Sequence, residues 1–269
     1  DEVIEYDESG KHRSLFGKLS LIKRLRKEKF DAAFLLNKSL TRAILVYLAG
    51  IPIRVGTPTK NRGVFLTHCV ENAENAVHRM EYYLNTIDGY GVPIVERSTT
   101  LIINDEARKN FEIKVGKLHN PFVLINPGGN WDLKRWPKGY FTQLIIKLQK
   151  DLKIDVVVTG ASKDQALVEE IVASIYPKPR VIVGELSLSE LMVLMEKAKA
   201  VVSADSGPLH IASSVGASVV GLFGPTKNDI TGPRGRGPIK IISHDVGCNR
   251  KPCYYLECPE NICMSSINI

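Results

Sequence analysis

Ala200-Val201-Val202-Ser203-Ala204-Asp205-Ser206-Gly207-Pro208-Leu209-His210-Ile211-Ala212 opens on an apolar run that reads as a buried strand. It continues into a short small-residue helix that ends near Gly216, and a second apolar run, Ser218 to Phe223, follows. An acid, a hydroxyl, a glycine and a histidine (Asp205, Ser206, Gly207 and His210) therefore gather where a strand hands over to a helix. In α/β folds that edge is where ligands bind, because helix N-termini expose unpaired N–H groups there. The arrangement suits a phosphorylated ligand, with Asp205 or His210 placed to contact its sugar.

Outward from this stretch the same alternation recurs. Phe122 to Asn126 reads as a buried strand, Gly139 to Leu152 as a helix, Ile154 to Thr159 as a strand and Lys163 to Ile175 as a helix. Val181 to Val183 is a strand, Ser189 to Ala198 a helix capped by Ser189, and Ile239 to Ile242 a last strand. Upstream, strands are expected at Asp31 to Leu36 and Ile53 to Gly56, and helices at Ser39 to Ala49, capped by Ser39, and at Asn75 to Ile87. Val95 to Asn104 looks extended. Short apolar runs alternating with helical patterns imply α/β architecture with parallel, doubly wound sheets. Two Rossmann-like units are expected, residues 1–118 and 119–269, joined through a helix and linker near 105–121.

Three further turns fall on the strand-end side of the second unit. Asn126-Pro127-Gly128-Gly129-Asn130-Trp131-Asp132-Leu133-Lys134-Arg135-Trp136-Pro137 follows its first strand. Gly128 and Gly129 let backbone N–H groups approach a ligand, and Lys134 and Arg135 supply positive charge. The segment is neither a G-x-G-x-x-G nor a Walker loop, and a tight turn with exposed basic residues is the simpler alternative. In Thr159-Gly160-Ala161-Ser162-Lys163-Asp164, Asp164 either accepts from a sugar hydroxyl or serves as a helix-start acid favoured by the macrodipole. Gly221-Leu222-Phe223-Gly224-Pro225-Thr226 ends a later strand, and its glycines and Thr226 either line the same cleft or form a plain turn. There is no Asp-x-Asp, no G-x-S-x-G and no Ser/His/Asp set in the sequence.

The 269 residues carry a net charge of +7 and are 44% hydrophobic, a globular composition with no run near the ~18 apolar residues of a membrane span. Residues 11–29 concentrate eight cations (Lys11, Arg13, Lys18, Lys23, Arg24, Arg26, Lys27 and Lys29) against the single acid Glu28. Leu15, Leu19, Ile22, Leu25 and Phe30 lie between them near helical spacing, which makes a basic amphipathic helix. Such a helix is either a solvated face packed on a sheet or a surface attracted to phosphorylated lipid. Aromatic residues are too sparse there for a nucleic-acid stacking platform, so no nucleic-acid partner is expected. Cys69 reads as a buried small residue. Cys248, Cys253, Cys258 and Cys263 recur every five residues, a pattern open to reduced thiols, disulfides or a structural metal knot.

The Asn126-to-Pro137 segment, the Ser203-to-His210 segment and the Gly221-to-Thr226 segment, in this order, resemble glycosyltransferase family 9, which contains the ADP-heptose:lipopolysaccharide heptosyltransferases. The cysteine tail, with Pro252-Cys253-Tyr254 and Cys263-Met264, is most similar to the heptosyltransferase II branch. The resemblance implies a GT-B architecture: two Rossmann-like domains facing a cleft, the first one incomplete, with a lipid A–inner core acceptor on the N-terminal domain and ADP-heptose on the C-terminal one. It makes Lys134 the phosphate-contacting lysine, Asp164 an acid near the ribose and Asp205 the acid at the heptose. Gly207, Pro208 and His210 become the backbone-rich diphosphate loop, and Ser206 is a further donor-binding residue. Gly129 and Asn130 stand where relatives often carry hydroxyl residues. Inverting, metal-independent heptosyl transfer is the implied reaction, with no cofactor required, on the cytoplasmic side of a bacterial inner membrane. A non-catalytic nucleotide-sugar-binding fragment, or a family member using another sugar nucleotide, is the alternative. Family members begin with a Gly-Asp loop whose acid is thought to be the general base. This chain starts at Asp1 without an initiator Met, so that loop is expected upstream.

Overall fold

The structure, a computed structural model, describes residues 2–71, 77–118, 121–253, 255 and 257–269. The chain divides into two units, Asp1–Arg97 and Ser98–Ile269, each taken here by itself.

In the first unit, α1 (Leu15–Lys27) precedes β1 (Ala32–Leu35), α2 (Leu40–Leu48), β2 (Ile53–Gly56), β3 (His68–Cys69) and α3 (Arg79–Asp88). The strands form a parallel sheet in the order β1-β2-β3. Ser39 caps α2 as its sequence suggests, accepting from Arg42 N. The expected helix from Asn75 begins at Arg79, and residues 75 and 76 lie outside the described residues. Leu21 and Ile22 of α1 pack with Leu45, Ala49 and Ile51, forming a small core. The basic loop after β2 runs into a 3-10 turn, Arg62–Phe65. There Arg62 is fully buried, and its guanidinium donates to the carbonyls of Thr57 (2.6 Å) and Leu35 (3.5 Å) and to that of Asn37. One side chain thus ties the ends of β1 and β2 together. Cys69 is exposed on β3 rather than buried, because β3 stands at the edge of the sheet.

The second unit contains α4 (Asp105–Val115), β4 (Phe122–Asn126), α5 (Lys138–Lys150), β5 (Asp155–Gly160), α6 (Gln165–Val172), β6 (Arg180–Val183), α7 (Leu188–Lys197), β7 (Ala200–Ala204), α8 (Gly207–Ser214), β8 (Val219–Phe223), α9 (Asn228–Thr231), β9 (Ile239–Ser243) and α10 (Ile262–Ser265). Its six strands are all parallel, in the order β6-β5-β4-β7-β8-β9. The chain starts in the middle at β4, winds outward to β6, then returns to β7 and winds the other way. That is the doubly wound order, and its switch point lies between β4 and β7. Central strands of such a sheet are covered on both faces. Leu124 and Ile125, adjacent on β4, accordingly belong to different cores, one on each side of the sheet.

Three sequence expectations change here. The boundary moves from 118/119 to 97/98, because α4 lays Ala107, Phe111 and Val115 into the core beside Val193 and Leu194 of α7. Lys114 also bonds Glu190 at 2.8 Å, and Thr99 N and Leu101 N donate to Arg234 O and Ser214 O. Residues 95–104, read as extended, form no strand. The cap of helix α7 lies two residues earlier than expected, at Ser187 rather than Ser189. The Ser187 hydroxyl accepts from Glu190 N while the Glu190 carboxylate accepts from Ser187 N at 2.7 Å, a reciprocal capping box.

The C-terminal tail belongs to the core. Met264 of α10 is fully buried and Ile267 nearly so, both against Trp136 and Phe141, and the Trp136 indole donates to Ile267 O at 2.9 Å. Gly224 makes room for this packing, since a Cβ there would lie 2.4 Å from Met264 Sδ.

Candidate functional site

Because β4 and β7 are neighbours, the loops at their carboxyl ends emerge side by side, Asn126 in register with Ser203. A 3-10 turn, Asp132–Lys134, closes the loop after β4. Its Lys134 Nζ donates to Asp205 Oδ2 at 2.7 Å, across 71 positions of sequence. Trp131 supports the ammonium from another side, its ring centroid 5.3 Å from Nζ. Arg135, read from sequence as a second free cation, is instead spent on the loop itself. It donates to Gly129 O at 2.7 Å and pairs with Asp132 at 2.8 Å.

Asp205 is 5% exposed and surrounded by donors. Besides Lys134, the hydroxyls of Thr226 (2.7 Å) and Thr231 (3.3 Å) donate to its Oδ2, and His210 Nε2 lies 3.7 Å from Oδ1. Burial pushes this carboxyl up, but His210, Lys134 and Thr226 together favour the anion more strongly and hold it at about 2. The acid is therefore a fixed negative charge at neutral pH and has no capacity to shuttle protons there.

A cavity of about 540 Å³ opens beside this pair, within the range of small-molecule sites. Gly128, Gly129, Asn130, Lys134, Asp164, Asp205, Ser206, Gly207 and Pro208 all line it, so the structure unites these sequence-predicted residues in one wall. His210 is not in that lining. Its Nε2 lies 3.7 Å from Asp205 Oδ1, so it meets the site through that carboxylate. Asp164 is buried, and its Oδ2 accepts from Ala161 N at 3.0 Å. It thus caps its own turn, the helix-start reading of its sequence, and also lines the cavity. Lys163 reaches across to the Asn130 side-chain oxygen.

The glycines divide into two kinds. Gly128 is required by the fold: a Cβ there would lie 2.4 Å from Asp164 Oδ2. Gly129 and Gly207 have ordinary φ values, and a Cβ on either would meet only open space. No neighbouring atom explains their missing side chains, and both line the cavity. Replacing Gly128 with alanine forces the β4 and β5 turns apart. The expected cost is about 1–3 kcal/mol, read as a lowered urea midpoint, whereas Gly207→Ala leaves that midpoint unchanged.

Sequence reading missed the opposite wall, built by Ile182, Leu186, Leu188 and Leu191. One signal was available. Leu188 is the first residue of a capped helix, where an apolar side chain has no core to face, and it is 69% exposed. The cavity thus has an apolar end, a buried acid at Asp164 and a cationic end at Lys134, with the first residues of α8 (Ser206, Gly207 and Pro208) alongside. The positive end of the α8 dipole adds to the lysine charge there.

The four tail cysteines were open to reduced thiols, disulfides or a structural metal. Cys248, Cys253, Cys258 and Cys263 are free thiols. Among the described residues no three His, Cys, Asp or Glu side chains are gathered as a metal ion would need. Burial pushes the Cys263 thiol up, against a smaller lowering by a backbone hydrogen bond and Lys251. Residues 254 and 256, between these cysteines, lie outside the described residues. No helix among the described residues is long and apolar enough to cross a membrane.

Known proteins share this arrangement of strands. The chain is 28% identical over 225 residues to lipopolysaccharide heptosyltransferase 2 of Escherichia coli K12, covering 78% of this chain and 64% of that protein. It therefore spans just under two thirds of that curated relative. The solved structure of a glycosyl transferase family 9 protein from Veillonella parvula superimposes with a TM-score of 0.77 at 24% identity, over 90% of this chain and 71% of that one. E. coli ADP-heptose LPS heptosyltransferase II gives 0.71 at 24% identity, over 86% and 73%. These two likenesses establish the shared fold of parallel-sheet Rossmann-like domains. The family model for glycosyltransferase family 9 (heptosyltransferase) matches residues 18–261, nearly the whole chain including both walls of the cavity, and the protein belongs to that family.

Proposed function

We propose that the cavity of the second unit binds ADP-heptose, and that the protein moves the heptose to the inner core of lipopolysaccharide, with inversion and without a divalent ion. The observation that carries this reading is Lys134, held 2.7 Å from a permanently ionised Asp205 at the switch point of the sheet. The adenine base fits the apolar wall of Ile182, Leu186, Leu188 and Leu191, with Asp164 near the ribose hydroxyls. The diphosphate then lies along Gly129, Lys134 and the first residues of α8, where two absent side chains leave space for its oxygens.

An acceptor hydroxyl attacks the anomeric carbon from the face opposite the diphosphate, a general base takes its proton, and the bond from that carbon to the β-phosphate oxygen breaks. Negative charge grows on the departing ADP. Lys134 and the α8 dipole are already in place to stabilise it, so little reorganisation is needed as the bond breaks. Asp205 keeps Lys134 aimed at the departing diphosphate.

The relative's name supports a heptosyl donor and a lipopolysaccharide acceptor. A lipid-linked acceptor implies work at the inner face of the bacterial inner membrane, in contact with its anionic surface. Calorimetry on the purified chain tests the donor. ADP-heptose is expected to bind about tenfold more tightly than ADP, and UDP-glucose not measurably. Equal affinity for ADP-heptose and ADP overturns the heptose assignment, and equal binding of UDP-glucose overturns the adenine one. Donor binding with no transfer to an inner-core acceptor identifies a binding module instead of an enzyme.

A further inference from the structure

Helix α1 has two faces, and only one is explained by folding. Leu21 and Ile22 are buried against α2, with Leu25 packed beside them. Leu15, Phe16 and Leu19 are 72, 83 and 50% exposed. At about 100° per residue, these three share their side of the helix with Lys23, Arg26 and Lys27 of the last two turns, all exposed. The outer face is therefore apolar over its first half and cationic over its second. The helix contains five Lys or Arg residues and no acid. Among the acids nearby, Glu2 pairs with Arg24 on the flank and Glu28 follows the helix as its C-cap. Arg26 also donates to Leu48 O at 2.7 Å, which joins this face to the end of α2, where Tyr47 and Leu48 are half exposed.

We infer that this face of α1 is a docking surface for an anionic bilayer, with Leu15, Phe16 and Leu19 entering the boundary between headgroups and acyl chains, and Lys23, Arg26 and Lys27 taking lipid phosphates. A helix that lies in the membrane plane needs this pairing of large apolar side chains with flanking cations. A second copy of the chain is disfavoured as the occupant, because a two-fold contact would bring the same cationic face against itself. Charge complementarity selects the lipid. The inference extends the membrane contact proposed above, but its residues all lie in the first unit and none touches the sugar-nucleotide cavity.

Co-sedimentation of the 269-residue chain with phosphatidylglycerol-containing and pure phosphatidylcholine vesicles tests it. Binding to the anionic vesicles is expected, weakened by 0.5 M salt, and at least tenfold stronger than to phosphatidylcholine. The double variants Phe16→Ser/Leu19→Ser and Lys23→Glu/Lys27→Glu are each expected to lose at least tenfold. Their circular dichroism and ADP affinity should stay at the parent values, since the altered side chains are exposed. Absence of vesicle binding, equal binding to both lipids, or full binding by either variant overturns the proposal. So does a concentration-dependent dimer that Phe16→Ser/Leu19→Ser disperses. Loss of ADP affinity in the parent chain with vesicle binding retained overturns the sugar-nucleotide reading and leaves this one standing.

Discussion

Replacing Lys134 by alanine is expected to cut ADP affinity about 100-fold while adenosine binding changes less than twofold. The ammonium is part-buried and aimed by a single short hydrogen bond to Asp205, and charge-assisted contacts to phosphate are the strong kind. Its removal acts twice. The proposed diphosphate loses its nearest cation, and Asp205 becomes an almost buried anion that keeps only Thr226, Thr231 and His210 beside it. Adenosine carries no phosphate and meets only the apolar wall and Asp164, so its binding serves as the control. Isothermal titration of both ligands decides the matter. An equal loss for adenosine shows that the loop has collapsed, and unchanged ADP affinity removes Lys134 from the diphosphate site.

Asp205→Asn is the second large effect, on stability and on transfer together. In the folded chain this carboxyl titrates at about 2, against 3.8 for the unperturbed group. A depressed carboxyl stabilises the fold fully above its unfolded value and loses that contribution as pH falls through its folded value. The difference corresponds to about 2 kcal/mol above pH 5, falling to about half by pH 3 and vanishing below pH 2. Urea titrations of parent and Asp205→Asn should therefore diverge at pH 7 and converge as the solution is acidified; a pH-independent gap overturns the assignment. If the chain carries out the proposed reaction, heptose transfer by the variant drops more than 100-fold. The neutral amide leaves Lys134 part-buried without its counter-ion and no longer fixed at the leaving group.

Much of the second unit was legible from its residues. β7 and β8 fall at Ala200–Ala204 and Val219–Phe223 as expected, since a strand covered on both faces writes itself as an unbroken apolar run. The turns after β4, β5 and β7 were legible as strand-to-helix handovers, because glycines and helix-start acids mark such turns. The apolar wall was not. Leu188 carried a weak signal as an apolar first residue of a helix, but Leu186 and Leu191 did not, and only the open space beside them shows that they line a cavity. The packing of the tail was hidden for a related reason: Met264 and Ile267 carry it, one residue on either side of an unremarkable Ser265-Ser266.

The order of short-range patterns along the chain was enough to determine two α/β units, the edge of the sheet where chemistry belongs, and the residue types available there. Local propensity and apolar periodicity act over a few residues, so they are written in the sequence directly. Which strand lies beside which was settled only by tertiary packing. The placing of β4 next to β7 puts Lys134 on Asp205, withdraws Arg135 into its own loop, and leaves His210 one contact away from the cavity. Packing also moved α4 into the second unit and turned Leu15, Phe16 and Leu19 outward. Such outcomes depend on contacts between residues far apart in sequence, for which no single stretch of chain holds the information.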